Sequence, residues 1–251
     1  MAKEPVCGIV LANTGTPDAP TPHAVASYLR QFLSDPNVVS SRRLVWWFVL
    51  RFIVIPRRKR ASAEKYRRIW TPEGSPLLVQ HEALARMLEA QFAEELGPGR
   101  VVVRAAMNYG KPSIPSALKE LRRLGVRKLI IVPTYPQAAY STTRAVAHTV
   151  VRSLHRMRWK PDYEIVSNYH RNPSYARAVA ASIMNAGFDP EGDDRLLLSF
   201  HSIPLEHIED GDTYEREVGA SALAVTDALG LDRKRWTATR TSGCSRTRPT
   251  C

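Results

Sequence analysis

The sequence predicts an α/β protein in which helices cover parallel β-sheets on both faces. Short, continuous apolar runs, such as KLIIVP at 128–133 and LLLSF at 196–200, alternate with helix-like segments along most of the chain. Strands with apolar residues on both faces are typical of parallel sheets, because helices bury both sides. Helical periodicity is clearest at 77–96, where apolar residues recur at spacings of three and four from Leu84 to Phe92.

The elements follow one another as strand, helix, strand, helix. Predicted strands lie at 7–13, 100–107, 128–133, 163–167 and 195–200. Predicted helices lie at 23–33, 77–96, 112–124, 142–156, 174–186 and 214–229. In parallel sheets, ligands bind outside the carboxyl ends of the strands. The candidate site therefore comprises the residues that follow strands, at 14–17, 108–109, 135–137 and 201–204.

Charge and cysteine content limit the classes of protein to which the chain can belong. With 251 residues, of which 44% are hydrophobic, the chain can form a sizeable core. A formal net charge of +12 favours anionic partners, such as phosphates, carboxylate-bearing ligands, nucleic acid or an acidic membrane face. Cys7, Cys244 and Cys251 suggest neither disulfides nor a zinc site, which predicts a cytoplasmic setting. The first residues, MAKEPVCGIV, lack the pattern of a signal peptide.

The most apolar segment, LVWWFVLRFIVI at 44–55, allows two interpretations. It is too short to span a bilayer, and it contains Arg51. Basic residues flank it at Arg42, Arg43 and 57–60. One interpretation is a buried helix with solvated flanks. The other is an interfacial helix that contacts anionic lipid or lines an apolar ligand site, because Trp and Phe with basic flanks suit that role.

One histidine is distinguished by its position. His201 directly follows the apolar strand at 195–200, and Pro204 stiffens the chain three residues later. A neutral imidazole at the end of a rigid strand can accept a proton or bind a divalent metal such as Fe(II), Zn or Co. The sequence therefore predicts His201 as a catalytic base and metal ligand, whereas the remaining histidines are interpreted as structural.

Four carboxylates follow this histidine in an otherwise basic chain. They are Glu206, Glu209, Asp210 and Asp212. One interpretation is a solvated acidic loop. The other is a path for a hydrated cation towards His201, because hard cations prefer oxygen ligands.

The signatures of three common α/β enzyme classes are absent from the sequence. The turn after the first strand, TGTPDAP, contains one glycine, and neither G-x-G-x-x-G nor G-x-x-x-x-G-K-[ST] occurs. A G-x-S-x-G nucleophile motif is also missing. These absences disfavour a dinucleotide-dependent dehydrogenase, a P-loop enzyme and an α/β hydrolase.

Five motifs occur in a characteristic order along the chain. They are LANTGTPDAPTPHAV with YLRQFLSDPNVV, YRRIWTPEGSPL, NYGKPSI, VPTYPQAAYSTT, and LSFHSIP followed by GDTYEREV. Together they resemble the ferrochelatase family, whose members insert Fe(II) into a porphyrin late in haem synthesis. The resemblance covers about residues 7–236.

The resemblance implies two similar, Rossmann-like α/β lobes with a porphyrin cleft between them. The expected lobes are residues 1–125 and an incomplete second lobe at 126–236. The resemblance implies that His201 abstracts a pyrrole proton, binds the incoming metal, or both. Segment 44–55 matches the family's lip over the cleft and its membrane-facing surface.

The resemblance also implies a set of porphyrin-binding residues. Asn108 stands where an arginine is usual, which removes support for a propionate or metal-path role there. The positions that match porphyrin-lining residues of the family are Thr14, Arg30, Lys65, Tyr66, Ser75 and Tyr109.

The last residues depart from the family pattern. Residues 237–251, TATRTSGCSRTRPTC, have no apolar period, so we expect an aberrant tail that does not form the family's next strand. We interpret it as the product of a frameshift or a gene-reading error, which removes the glutamate that the family pairs with His201. Cys244 and Cys251 are too few to hold an iron–sulfur cluster. No cofactor is therefore expected, and Fe2+ is a substrate.

The expected function is insertion of Fe(II) into protoporphyrin IX or coproporphyrin III. The alternative is a truncated, non-catalytic remnant that binds porphyrin or metal. A nucleic-acid partner is not expected, because the basic run PRRKR belongs to no recognised reading motif. Related cobalt and nickel chelatases fit the SPL and YPQ segments less well. The expected location is the cytoplasm, with peripheral contact to an anionic membrane as the open alternative for segment 44–55.

Overall fold

A computed structural model describes residues 7–39 and 42–241, and it confirms the α/β fold with parallel strands. Every strand pair between the named strands is parallel. The strands are β1 Cys7–Gly15, β2 Val101–Tyr109, β3 Lys128–Pro133, β4 Asp162–Ile165, β5 Leu196–His201 and β6 Trp236–Thr241.

Helices connect the strands. They are α1 Pro22–Leu33, α2 Arg43–Val49, α3 Ile55–Ile69, α4 Pro76–Leu96, α5 Ile114–Arg123, α6 Ala145–Arg156, α7 Pro173–Asn185, α8 Leu205–Glu209 and α9 Tyr214–Ala228. Thr21, Ser113 and Asn172 cap α1, α5 and α7 by accepting hydrogen bonds from first-turn N–H groups. A π-helical turn, Leu50–Val54, joins α2 to α3.

The chain divides into two compact units. The first comprises the residues up to Thr134 and Tyr140–Ser167, and the second comprises Tyr135–Ala139 and the residues from Asn168. The first unit is longer than the lobe of residues 1–125 expected from the sequence, because β3 hydrogen-bonds to β1 and β4 pairs with β3.

The first unit contains a four-stranded sheet in the order β2-β1-β3-β4. On one face, Ile9, Leu11 and Val103 pack with Ala85 of α4. Helices α5 and α6 contact β1 and β2 as well, and their apolar residues are buried. Helices therefore cover both faces of the sheet, as the continuous apolar runs predicted.

The second unit contains a two-stranded sheet of β5 and β6. Leu196 packs against a buried cluster formed by Ala180 of α7, Val225 of α9 and Leu229, which directly follows α9. The LLLSF run predicted burial of both faces of β5, and that prediction is wrong: Leu197 is 63% exposed. Leu197 lies on the face of β5 that the described part of the chain leaves open. Alternate residues of β5 are exposed along this face.

The strand β6 corrects the prediction for the tail. Residues after Trp236 were expected not to form a strand, but Leu198 pairs with Ala238 and the ladder continues to Thr241. The backbone hydrogen bonds of a parallel ladder need no apolar period, and the β-branched threonines favour the extended backbone. The rest of the predicted tail, including Cys244 and Cys251, lies outside the described residues.

Candidate functional site

His201 is the last residue of β5, and its side chain is exposed. Burial raises the pKa of Tyr214, the first residue of α9, and a hydrogen bond to the backbone of His201 opposes the rise. The predicted base thus stands at the carboxyl end of a strand, with its side chain open to solvent.

The acidic residues after His201 do not form one continuous solvated loop. Glu206 and Glu209 lie on the short helix α8 and are exposed, as is Asp210. Asp212 is buried, and its Oδ1 accepts a hydrogen bond from the Tyr214 N–H at 2.9 Å. Asp212 thus serves the beginning of α9, whereas the other three carboxylates face solvent.

A buried carboxylate that sequence reasoning did not identify lies one turn further along α9. Glu217 is 8% exposed and accepts hydrogen bonds from the Ala138 N–H at 2.7 Å, Asn168 Nδ2 at 3.1 Å and Thr213 Oγ1 at 2.7 Å. Two of these donors are distant in sequence, so no local pattern around GDTYEREV could have revealed them.

His170 completes this cluster. Its side chain is buried, and Nδ1 lies 3.3 Å from Oε2 of Glu217. The two atoms are close enough to form an ion pair when the imidazole is protonated, although their geometry does not make a hydrogen bond. The imidazole of His170 and the carboxylate of Glu217 thus lie side by side in the interior of the second unit.

In the first unit, two of the predicted porphyrin-binding residues belong to one row of aromatic rings. The row begins at Tyr109, which contacts Phe32 edge to face with centroids 5.3 Å apart. Phe32 stacks on Tyr28 at 6.0 Å, and Tyr28 meets Tyr66 edge to face at 6.5 Å. Tyr66 then contacts Trp70 at 6.3 Å. The structure thus links Tyr66 and Tyr109 through two rings of α1.

Tyr66 and Tyr109 present different chemistry along this row. Tyr66 is half-buried, and burial raises the pKa of its phenol. Tyr109 is buried, and its hydroxyl donates a 2.7 Å hydrogen bond to Oδ2 of Asp35. The hydroxyl proton of Tyr109 is therefore used within the first unit.

The other predicted porphyrin-binding residues lie on several elements of the same unit. Arg30 on α1 and Lys65 on α3 are exposed, and these two helices pack against each other. Thr14 is half-buried near the end of β1. Ser75 is buried directly before α4. Arg30 and Lys65 are thus the two of this set that present a positive charge to solvent.

A cavity of about 530 Å³ opens beside the end of β2. Asn108, Tyr109 and Asp35 line it together with His148 and Arg152 of α6. The Oδ1 atom of Asn108 is buried and accepts no hydrogen bond among the described residues. The wall of the cavity is therefore polar. In it Asn108, which departs from the family pattern, is next to Tyr109, a predicted site residue.

Within 7–39 and 42–241, no group of three or more His, Cys, Asp or Glu side chains could hold a metal ion.

Segment 44–55 has one exposed apolar side and one buried side. Leu44 is 80% exposed, Phe52 is 63% exposed and Phe48 is 58% exposed. Leu50 and Ile55 on the opposite side pack with Ala26 of α1. The guanidinium of Arg51 lies 5.7 Å from the centre of the Trp47 ring. None of the helices in the described residues is long and apolar enough to cross a membrane.

The fold is that of the chelatase proteins. The solved structure of SirB from Bacillus subtilis with Fe3+ superposes with a TM-score of 0.54 at 12% identity, covering 96% of this chain and 68% of SirB. At this identity, the likeness shows the fold alone.

The Ferrochelatase family model matches residues 6–247, so the chain belongs to the ferrochelatase family. The match runs past residue 236, where the resemblance read from the sequence ended. The ferrochelatase of Thioalkalivibrio sulfidiphilus is 41% identical over 235 residues, and that of Marinobacter nauticus is 38% identical over 232 residues. These alignments cover 93% and 92% of this chain, but 63% and 62% of the relatives. The chain thus spans less than two thirds of their length.

Proposed function

We propose that this chain inserts Fe(II) into a porphyrin, with His201 as the base that removes pyrrole protons and contacts the metal. The observation that carries the proposal is the family match over 6–247, together with an exposed histidine at the carboxyl end of β5. Two N–H protons must leave the porphyrin for each metal that enters, and a neutral imidazole suits that step near neutral pH. Iron is the substrate, and the reaction needs no further cofactor.

The porphyrin would bind to residues of the first unit. The row from Tyr109 to Trp70 offers flat rings to a flat macrocycle, and the exposed charges of Arg30 and Lys65 suit its carboxylates. Thr14 and Ser75 complete the proposed set. Protoporphyrin IX and coproporphyrin III both carry carboxylates, so both are candidates.

A second candidate is binding of porphyrin or metal without turnover. The chain spans 62–63% of the length of two curated relatives, so the activity of the whole relatives is not carried over to it directly. Binding needs only the apolar and basic side chains, whereas turnover also needs a correctly oriented base.

We also propose that the chain works in the cytoplasm and meets anionic membranes peripherally, with no nucleic-acid partner. Exposed Leu44, Phe48 and Phe52 would enter the lipid interface, and the basic residues around Arg57 would contact its phosphates. The same exposed face could instead line an apolar ligand site, so vesicle binding separates the two roles.

The test is anaerobic metallation of both porphyrins by the 251-residue chain with Fe(II) or Zn(II), followed through the visible absorption bands. His201→Ala should abolish turnover and leave porphyrin affinity unchanged. His155→Ala is the matched control, because His155 is another exposed histidine, on α6. Porphyrin binding without turnover in the unmodified chain would select the second candidate, and equal turnover in His201→Ala would exclude His201 as the base.

A further inference from the structure

A second cavity of the first unit, of about 680 Å³, is lined by the end of α6, the turn that follows it and β4. Its volume is in the range of pockets that bind small molecules. None of the residues proposed above for porphyrin binding or proton transfer lines this α6–β4 cavity. It therefore has room for a ligand of its own. Its lining includes Val151, Leu154, Arg158, Trp159, Lys160 and Tyr163.

Part of the lining is apolar and aromatic. Leu154 is buried, Trp159 is half-buried, and Val151 and Tyr163 are 48% and 43% exposed. Aromatic rings that remain accessible beside aliphatic side chains offer a surface on which a flat ring can stack. Two such rings in one small cavity therefore favour a planar aromatic ligand.

The charge of the lining is positive. Arg158 and Lys160 are exposed, and neither forms an ion pair with another residue of 7–39 or 42–241. Asp162 and Glu164 flank Tyr163 in β4, but successive side chains of a strand point to opposite faces, and neither carboxylate lines the cavity. Two cations that are not neutralised next to an apolar wall favour an anionic ligand.

Arg158 stands where the backbone disfavours an arginine. At the end of α6, the Trp159 N–H donates to the Leu154 carbonyl oxygen at 3.1 Å, and the Arg158 N–H donates to that of His155 at 3.0 Å. In a helix ending of this kind, the residue at the position of Arg158 is left-handed and is usually glycine or asparagine. Arg158 has a φ of +48°. An arginine that is kept there in spite of the strain indicates a use for its side chain.

We propose that the α6–β4 cavity binds a small planar aromatic anion. The ring of the ligand contacts Trp159 and Tyr163, and its carboxylate or phosphate pairs with Arg158 and Lys160. A guanidinium binds either kind of anion through two parallel hydrogen bonds, so the same side chains serve both. This binding goes beyond the proposed metallation reaction, and its test needs no turnover.

Titration of the 251-residue chain with naphthalene-2-carboxylate and with AMP tests the site, because both probes carry a flat ring and they differ in the anion. Naphthalene-2-carboxamide and adenosine are their uncharged counterparts. The indole N–H NMR signal of Trp159, assigned by its loss in Trp159→Phe, reports binding in this cavity. We expect the signal to shift with at least one anion, and the uncharged counterpart of that anion to bind at least about 10-fold more weakly. The anion that binds more tightly identifies the preferred group.

Arg158→Gly is the decisive variant, because glycine adopts a positive φ without strain and removes the guanidinium. The variant should unfold in urea no more easily than the unmodified chain, whereas its affinity for the anion, measured by calorimetry, should fall about 10-fold. Arg156→Ala is the matched control, because Arg156 is an exposed arginine in the last turn of α6 that does not line the cavity. Its affinity should stay within about twofold.

Trp159→Leu tests the aromatic part of the site, since leucine keeps an apolar side chain and removes the ring. Loss of a stacking partner should lower the affinity about 10-fold. Unchanged affinity in this variant would show that the ring of Trp159 does not contact the ligand and would overturn the proposal.

Three further results would also overturn it. One is a Trp159 signal that neither anion moves, and another is equal affinity for the charged and uncharged probes, since apolar surface alone would then bind them. The third is equal weakening by Arg158→Gly and Arg156→Ala, which would assign the effect to net charge. None of these results bears on metallation at His201, so failure of this proposal is distinct from failure of the proposed function.

Discussion

The hydroxyl of Tyr109 donates a 2.7 Å hydrogen bond to the Oδ2 atom of Asp35, which fastens the end of β2 to the segment after α1. The other oxygen of Asp35 accepts hydrogen bonds from the N–H and the side-chain amide of Asn37, each at 2.8 Å. Tyr109 therefore has a structural role in addition to the porphyrin contact proposed for its ring.

Tyr109→Phe separates these two roles. We expect the free energy of unfolding to fall by about 1.5–3 kcal/mol, because a buried hydrogen bond to a carboxylate is lost and the ring stays. Urea unfolding measures the change. Porphyrin affinity should stay close to that of the unmodified chain, and a large loss of affinity with no loss of stability would contradict this division. Tyr163→Phe, at an exposed position of β4, is the control.

Gly15 is required at the end of β1. Its φ is +113°, and a Cβ there would overlap the carbonyl oxygen of Tyr109. Gly15→Ala should therefore lower the unfolding free energy by at least about 3 kcal/mol, through backbone strain and the clash together. Gly230→Ala shares a positive φ, +66°, but has no atom within 4 Å, and should cost only about 1 kcal/mol. Equal losses in the two variants, measured by thermal unfolding, would show that the clash relaxes.

The sequence predicted the strands well because their signal is local. The continuous apolar runs of β1 and β3 reflect burial on both faces, and both strands lie where the runs are. Both interpretations of segment 44–55 were helices, but the continuation of helical structure through α3 to Ile69 was not predicted. In the structure Pro56 lies in the first turn of α3, where its missing N–H removes no hydrogen bond that the helix needs.

The candidate site was less predictable than the sheet. The place of His201 at the end of a strand was predicted correctly because the apolar run before it is a local signal, whereas its catalytic role stays a prediction. The Glu217 cluster could not be predicted, because its partners Ala138 and Asn168 are 79 and 49 residues away in sequence. The same holds for the row of rings, in which Tyr109 joins Phe32 only after β2 and α1 have packed.

His81 makes stability depend on pH. It is buried on α4, and its Nε2 forms a 3.0 Å hydrogen bond with the Leu11 carbonyl oxygen. Burial lowers the pKa of His81 below its ordinary value of 6.5. Below about pH 6.5 the unfolded chain binds a proton that the folded chain does not, so stability falls as the pH falls through that value.

The measurement is urea unfolding at pH 7.5 and pH 5.5. The unmodified chain should lose about 1 kcal/mol more on acidification than His81→Gln, which cannot titrate there. His23→Gln, at an exposed position of α1, should keep the full pH dependence. If His81→Gln and the unmodified chain lose the same free energy, His81 does not carry this pH dependence.

Exposed apolar side chains around α2 should make membrane binding depend on both lipid charge and single residues. Phe52→Ser removes a ring that is 63% exposed next to a basic segment. Burying such a ring in the lipid interface contributes about 1.5 kcal/mol, so its loss should weaken binding to vesicles about 10-fold. Sedimentation with phosphatidylcholine vesicles containing phosphatidylserine measures the change.

Leu197→Ser is the matched control for this prediction. Leu197 is also 63% exposed, but it lies on β5 in the second unit, away from the basic segment in sequence. It should bind charged vesicles as the unmodified chain does. Binding should also fall when phosphatidylserine is omitted, because each basic residue near an anionic surface contributes about 1 kcal/mol. Equal weakening by Phe52→Ser and Leu197→Ser would mean that apolar exposure in general, and not the exposed side of segment 44–55, drives the association with vesicles.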